Sequence, residues 1–338
     1  FLKCKYSISC NSGTSALFLA FKAINLKKND KVIMPSINFV SSYNIAKLFG
    51  AKVFLADVDR LTGQMTPSDV DDCCKKFKLK NIKALVVMYN AGYPQNADKF
   101  YKLKAKYGFK IIEDACHALG AEYIYKKKKF RIGSCKHCDI STFSMHPLKT
   151  ITTGEGGILT FNKKEYYNKV LKLRSHGIEK KKNTPWKYGV VYNSLNFRLT
   201  DFQCALGISQ LKKIKKFVNR RKKIFDFYKN KLKKNKNLSL PIHNKNYVSS
   251  HHLFLINIKK FNLKKKDNFF NYMKAKKIIL QYHYIPVFYF KIFKDNFIGK
   301  KSKIYYNTTL SLPIYYSLTN KKLNYIVKNI NNFFKIDE

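Results

Sequence analysis

Arginine is nearly absent from a strongly basic chain. The 338 residues carry 67 Lys and Arg against 20 Asp and Glu, a formal net charge of +47. Only Arg60, Arg131, Arg174, Arg198, Arg220 and Arg221 are arginine, which leaves 61 of the 67 as lysine. Lys, Asn, Ile, Phe and Tyr are inflated together, the pattern that AT-rich coding produces. A nucleic-acid site would more often enrich arginine, whose planar guanidinium makes bidentate contacts to bases and phosphates. The charge therefore implies no nucleic-acid partner. Long apolar runs are also missing. None approaches the roughly 20 residues needed to span a bilayer, so no membrane association is expected, and without a signal peptide the chain reads as cytoplasmic. The eight cysteines need no disulfide framework in a chain of this length. Cys135-Lys-His-Cys138 has zinc-ligand spacing, but no second pair follows at a workable distance, so free thiols and no metal are expected. There is no internal repeat. The chain opens on Phe1 in residues that already read as a strand entering a motif, and a preceding segment is expected to be missing.

A hydrophobic fraction of 45 % allows a substantial core. Through the first half, short apolar runs (Tyr6-Ser-Ile-Ser, Val32-Ile-Met, Lys52-Val-Phe-Leu-Ala, Ala84-Leu-Val-Val-Met, Phe109-Lys-Ile-Ile, Ile140-Ser-Thr-Phe) alternate with amphipathic segments near 14–24, 40–49, 67–77 and 96–107. Strand–helix alternation of this kind predicts an α/β fold with a mostly parallel sheet covered on both faces. From Leu199 to about Lys234 the pattern is helical with almost no breaker and reads as a bridge to a second unit. Leu253-Phe-Leu-Ile-Asn-Ile, a helical 264–277, Ile278 to Tyr284 and a final helix at 319–335 make that unit a smaller α+β domain. The division expected is 1–205 and 206–338. The lysine runs at 126–129, 180–182 and 264–266 read as solvated loops or helix edges.

In an open α/β sheet, ligands bind beyond the carboxyl ends of the strands. Three motifs fall there. Asn11-Ser-Gly-Thr-Ser-Ala sits at a strand-to-helix junction, where Gly13 allows close backbone approach and Thr14 and Ser15 add hydroxyls to free helix N–H groups. It suits a phosphate or, equally, is ordinary N-capping. Ile111-Ile-Glu-Asp114-Ala-Cys-His117 puts Asp114 where a buried apolar strand ends. A carboxylate there needs a cationic partner such as a protonated pyridine nitrogen, unless it is a turn aspartate. His117 could reach the same ligand. In FSMHPLKTITTGEGG (143–157), Lys149 stands alone between Ser144 and a glycine turn. A lysine beside a phosphate site, with an aspartate on a neighbouring strand, is the layout that pyridoxal phosphate requires.

With CNSGTSAL at 10–17, PSINFVSS at 35–42, EDACHALGAEY at 113–123, LRSHGI at 173–178, NFRLTDFQCALG at 196–207 and LSLPIYYSLT at 310–319, the chain resembles the sugar-nucleotide aminotransferases of the DegT/DnrJ/EryC1/StrS family over essentially its whole length. The resemblance implies a fold-type I pyridoxal-phosphate enzyme, with a large domain built on a seven-stranded-type sheet. It implies that Lys149 is the lysine bonded to the cofactor, that Asp114 pairs with the ring nitrogen and that Phe39 stacks on the ring. His117 would lie on the ring's hydroxyl side. Gly13, Thr14 and Ser144 would hold the phosphate, and Asn196 would reach across a homodimer interface to the partner's cofactor. HALGAEY, LRSHGI, QCALGISQL and Gln281-Tyr-His-Tyr look most like the branch acting in pseudaminic-acid biosynthesis. That branch aminates C4 of a UDP-linked 4-keto-6-deoxy-N-acetylhexosamine with L-glutamate as donor. Gln281, Tyr282, His283 and Tyr284 would then line the sugar-nucleotide pocket, to which residues ahead of the SGT motif would also contribute. Another keto-sugar of the same family is the first alternative, and a basic nucleic-acid-binding protein without catalysis the second. The retained lysine favours transamination over the family's dehydratases, in which histidine replaces it.

Overall fold

A computed structural model describes residues 1–181, 183–242, 244–260, 262–293 and 297–335. The alternation read in the first half appears as β1 (Tyr6–Cys10), α1 (Gly13–Ala23), β2 (Lys31–Pro35), α2 (Ser41–Leu48), β3 (Lys52–Ala56), α3 (Pro67–Lys76), β4 (Ile82–Met88), α4 (Ala97–Tyr107) and β5 (Lys110–Asp114). A hairpin of β6 (Glu122–Tyr125) and β7 (Lys128–Arg131) follows, then β8 (Ile140–Ser144), β9 (Gly157–Phe161), α5 (Lys164–Leu173) and a second hairpin of β10 (Ile178–Lys181) and β11 (Thr184–Val190). Seven strands form one sheet in the order β1–β9–β8–β5–β4–β2–β3. β3–β2, β2–β4, β4–β5 and β5–β8 are parallel, and β9 runs against both β8 and β1. The period of two along β4 sends Ala84 and Val86 to one core and Leu85 and Val87 to the core on the other face. Covering both faces buries the whole centre of the sheet and leaves the strand ends as the place for polar chemistry.

The uninterrupted helical pattern from 199 to 234 is in fact two helices, α6 (Asp201–Lys212) and α7 (Ile214–Leu232), meeting at Lys213. Neither proline nor glycine marks the break. It lets Ile214 bury against Met145 and Ile151, while α6 buries none of its own residues. Thr200 and Gln203 close a reciprocal capping box at the start of α6.

The remaining elements are β12 (Leu238–Ser239), β13 (Tyr247–Val248), β14 (Phe254–Ile258), α8 (Leu263–Ala275), α9 (Lys300–Thr308), β15 (Thr309–Leu312) and α10 (Asn320–Phe333). β12, β14 and β15 form an antiparallel sheet. Ile224, Tyr228, Phe254, Phe269, Leu323 and Ile330 belong to its core, drawn from α7, α8 and α10. This unit is laced to the first one. β13 pairs with β6, Val287 and Phe297 are buried in one large core, and Tyr305 in the other. The segment 278–284 forms no strand and makes one bridge, Gln281 to Ser311. Of the lysine runs, 126–129 is exposed as expected but turns a hairpin, with Lys128 and Lys129 in β7; Lys180 and Lys181 fall in β10, and Lys182 lies outside the described residues. Lys266 corrects the reading of 264–266. It is 0 % exposed, with its ammonium over the rings of Tyr282 and Tyr306 at 4.2 and 4.1 Å and donating to the Tyr306 carbonyl. Two aromatic faces and a carbonyl replace the water that a lysine normally keeps.

Candidate active site

β5 and β8 end at the same edge of the sheet, and α1 begins there. Ser12 caps α1, its hydroxyl accepting from the Ser15 amide at 3.0 Å. A β-carbon on Gly13 would stand 2.7 Å from Cβ of Ser144, the last residue of β8, so glycine is what lets the helix start against that strand. The Thr14 and Ser41 hydroxyls lie 3.2 Å apart, and Ser41 opens α2. The first amides of α1 have no intrahelical acceptor. With Thr14, Ser41 and Ser144 around them they form a hydroxyl-and-amide cradle fitted to a phosphate.

Asp114 closes β5 and is 3 % exposed. One carboxylate oxygen accepts from the Cys116 amide at 3.2 Å, and no ion pair involves Asp114 among the described residues. Stranding a buried carboxylate is costly; a protonated ring nitrogen is the partner it lacks. Lys149 is half-buried in the loop after β8, where its amide donates to the His146 carbonyl at 2.9 Å. Cradle, carboxylate and lysine share a cavity of about 1040 Å³. A phosphate site, a stranded carboxylate and a primary amine on one cavity wall fit pyridoxal phosphate.

Phe39, His117, Gln281, His283 and Tyr284 line the same cavity. Phe39 and Tyr284 approach with ring centroids 5.8 Å apart. Tyr284 Oη lies 2.8 Å from His117 Nε2, and His283 Nδ1 lies 2.9 Å from Ser311 Oγ. Burial, then the Lys149 charge, hold His117 well below the usual histidine range. The same causes push His283 down to about 4. Burial, then Asp114, drive the Tyr284 phenol and the Cys116 thiol up. Near neutral pH the lining is therefore a set of neutral imidazoles, a phenol and a thiol around Lys149 and Asp114.

Two residues singled out in the sequence lie elsewhere. Tyr282 turns away from the cavity, donating to Asp267 at 2.6 Å and packing against Phe270 and Tyr306. Its hydroxyl and ring find their partners on α8 and α9, on the side away from the cavity. Asn196 is exposed on its own chain, its side-chain oxygen accepting from the Arg198 amide at 3.1 Å. The cavity also takes in Arg221 and His252, which the motif reading passed over. Their signal was present: Arg221 is one of six arginines, and it repeats at helical spacing with the apolar Ile224, Phe225 and Tyr228.

The family model for the DegT/DnrJ/EryC1/StrS aminotransferase family matches residues 1–331. The UDP-4-amino-4,6-dideoxy-N-acetyl-beta-L-altrosamine transaminase of Campylobacter jejuni subsp. jejuni serotype O:23/36 (strain 81-176) is 34 % identical over 334 residues, spanning 95 % of this chain and 84 % of that protein. The solved structure of Helicobacter pylori PseC, an aminotransferase involved in the biosynthesis of pseudoaminic acid, superposes with a TM-score of 0.87 at 27 % identity, covering 99 % of this chain and 88 % of that one. Spr1654 from Streptococcus pneumoniae, solved in a PLP form, shares the fold with a TM-score of 0.89 at 22 % identity, over 99 % of this chain and 88 % of that one.

Proposed function

The chain belongs to the DegT/DnrJ/EryC1/StrS aminotransferase family and is a pyridoxal-phosphate-dependent sugar aminotransferase, and from that premise we propose that it aminates C4 of a UDP-linked 4-keto-6-deoxy-N-acetylhexosamine, with L-glutamate as donor, in pseudaminic-acid biosynthesis. The observation that carries the reading is the shared cavity, which sets Lys149 and Asp114 against a wall containing Gln281, His283 and Tyr284. The likeness to the Campylobacter jejuni transaminase supports the choice of acceptor.

When bound, pyridoxal phosphate supplies the electron sink for moving an amino group from donor to acceptor. The chain supplies the rest. Gly13, Thr14 and Ser144 would hold the phosphate at the start of α1. Asp114 would pair with the ring nitrogen. Phe39 would stack on the ring, and His117 would lie on its hydroxyl side. The Lys149 amine would carry a proton between the donor's Cα and the cofactor's C4′, and in the second half of the reaction between that carbon and C4 of the sugar. Amide, imidazole and phenol groups of Gln281, His283 and Tyr284 read the sugar's own amide and hydroxyls. Residues 1–205 form the cofactor-binding unit in this reading, and 206–338 the smaller C-terminal unit, which contributes Gln281, His283 and Tyr284 to the cavity.

The active assembly is a homodimer with shared sites. α6 supports this, because it buries nothing and presents Phe202 at 91 % exposure beside exposed Leu206 and Ile208. Asn196, on the same approach, would reach the partner's cofactor. We also infer action in the cytoplasm, where nucleotide sugars are made; no helix among the described residues is long and apolar enough to cross a membrane.

The test supplies the purified enzyme with pyridoxal phosphate, L-glutamate and UDP-linked 4-keto-6-deoxy-N-acetylhexosamines of both ring configurations, and follows product by NMR. A 4-amino product of the L-altro configuration is expected. Amination of a 3-keto sugar, or of the other 4-keto configuration in preference, would move the enzyme to another branch of the family.

A further inference from the structure

Arg221 is buried without an acid. It lies on the inner face of α7, 6 % exposed. Its Nη1 donates to the carbonyls of His252 at 3.0 Å and Ile314 at 2.9 Å. Nε and Nη2 have no hydrogen bond among the described residues, and no carboxylate pairs with the guanidinium there. Burial alone lowers its pKa, to about 10, so it stays charged at neutral pH. Two carbonyl dipoles offset only part of the cost of burying that charge.

His252 repeats the pattern. It is 5 % exposed, and its Nδ1 is a buried atom with no hydrogen-bond partner. Its ring centroid lies 4.2 Å from that of His117. Burial, then the charges of Lys149 and Arg221, keep it neutral. Both residues line the cavity, Arg221 with two of its nitrogens unbonded among the described residues and His252 with a neutral imidazole beside His117.

We propose that Arg221 and His252 form the subsite that receives the carboxylate of the amino donor. The proposal rests on the aminotransfer reading and adds where the donor is held. A guanidinium fork beside an imidazole N–H matches a planar carboxylate. The acids lining the cavity, Asp114 and Glu155, sit elsewhere: Asp114 at the end of β5, and Glu155 exposed near His146. Depth separates this subsite from one for the nucleotide's diphosphate. Arg221 and His252 are buried next to His117, within the field of Lys149. A nucleoside diphosphate is long and must extend to the open rim, where Ile279, Lys322 and Tyr325 are exposed. The donor is small, and its α-amino group must come to Lys149.

Calorimetry on the holoenzyme tests this with two probes. Glutarate is a dicarboxylate with no amine to transfer, and UDP carries the diphosphate. Arg221→Gln and His252→Ala are each expected to weaken glutarate about tenfold or more and to leave UDP within about twofold, a tenfold step being one decade in Kd. Arg221→Lys, which keeps the charge and loses the fork, should bind glutarate with an affinity between those of wild type and Arg221→Gln. The proposal is overturned if wild type does not bind glutarate, if either variant leaves glutarate unchanged, or if glutarate and UDP weaken alike. Should Arg221→Gln fail to fold, His252→Ala and Arg221→Lys decide the matter. Failure of UDP alone to bind would count against the nucleotide-sugar acceptor and leave the donor subsite standing.

Discussion

Tyr284 sets its hydroxyl 2.8 Å from Nε2 of His117, joining the segment that leads into α9 to the loop after β5. Burial keeps the phenol protonated and the imidazole neutral, so a single proton is shared in the contact, with the imidazole tautomer setting which group donates. The bond fixes both residues at the cavity wall that also holds Phe39. It ties the segment proposed to read the sugar to the loop proposed to flank the cofactor.

Tyr284→Phe tests that tie. The change keeps the ring and leaves a buried imidazole nitrogen unpartnered, which costs about 1–3 kcal/mol. Calorimetric melting should show a lower Tm, and kcat/KM for the nucleotide sugar should fall. Wild-type values of both would mean that the contact carries neither stability nor orientation.

Lys149→Ala should abolish turnover while far-UV circular dichroism stays unchanged. Loss of a covalent catalyst costs many orders of magnitude in rate, far beyond one hydrogen bond. Borohydride reduction should fix the cofactor to wild-type protein and leave the variant unlabelled. Asp114→Asn should still be labelled and turn over slowly, because the ring nitrogen loses the carboxylate that holds its proton. A near-wild-type rate for Asp114→Asn would reduce Asp114 to a turn residue.

The parallel sheet was legible because its strands are short apolar runs separated by amphipathic helices, a pattern with one common solution. The three motifs were legible because strand ends and helix starts leave their marks in glycine, serine and aspartate. Lys213 left no mark. A helix break without proline or glycine follows from where Ile214 finds its contacts, and those contacts are distant in sequence. Lys266 was hidden for a related reason. In a chain with 61 lysines, one that is caged between Tyr282 and Tyr306 looks like its solvated neighbours. Arg221 is hidden for the opposite reason: arginine is rare in the chain, and this one shares a helix face with Ile224, Phe225 and Tyr228, which apolar periodicity assigns to the core.

Lys266 gives a pH signature. Burial, opposed by Asp267, lowers its pKa from 10.5 to about 7. The unfolded chain therefore binds the proton more readily between about pH 7 and the ordinary lysine value. The stability tied to this group is present above that upper value and is lost as pH falls through about 7. The groups facing the ammonium are Asp267 on its own helix, the Tyr306 ring and carbonyl from α9, and the Tyr282 ring. Lys266→Met keeps the length and removes the charge. Denaturant titrations from pH 6 to 9 should show ΔG rising with pH more steeply in wild type than in the variant. Parallel curves would mean that the ammonium is not desolvated.

The proposed sharing of sites between protomers predicts complementation. Lys149→Ala and Asn196→Ala are each expected to be inactive as pure dimers. Mixed after mild dissociation, they should recover part of the activity, because one hybrid site carries both an intact lysine and an intact partner asparagine. A fully active monomer by light scattering would rule out the arrangement and leave the exposed apolar face of α6 without its proposed role.

Specificity is expected to reside in the wall formed by Gln281, His283 and Tyr284. His283 is held neutral, pushed down to about 4 by burial and then by the Lys149 charge. It therefore presents one donor and one acceptor near neutral pH, and Ser311 occupies Nδ1. Nε2 is left to face the cavity contents. A neutral imidazole in this wall reads the sugar's amide or hydroxyls, whereas the donor's carboxylate is expected beside the Arg221 cation. His283→Ala should therefore raise KM for the nucleotide sugar by about tenfold, the cost of a lost hydrogen bond with its partner left unpaired. KM for glutamate should change by no more than about twofold under the same accounting. The decisive measurement is the ratio of the two KM changes in steady-state assays with each substrate varied in turn. Equal changes would show that His283 supports the fold of the segment and does not read the sugar.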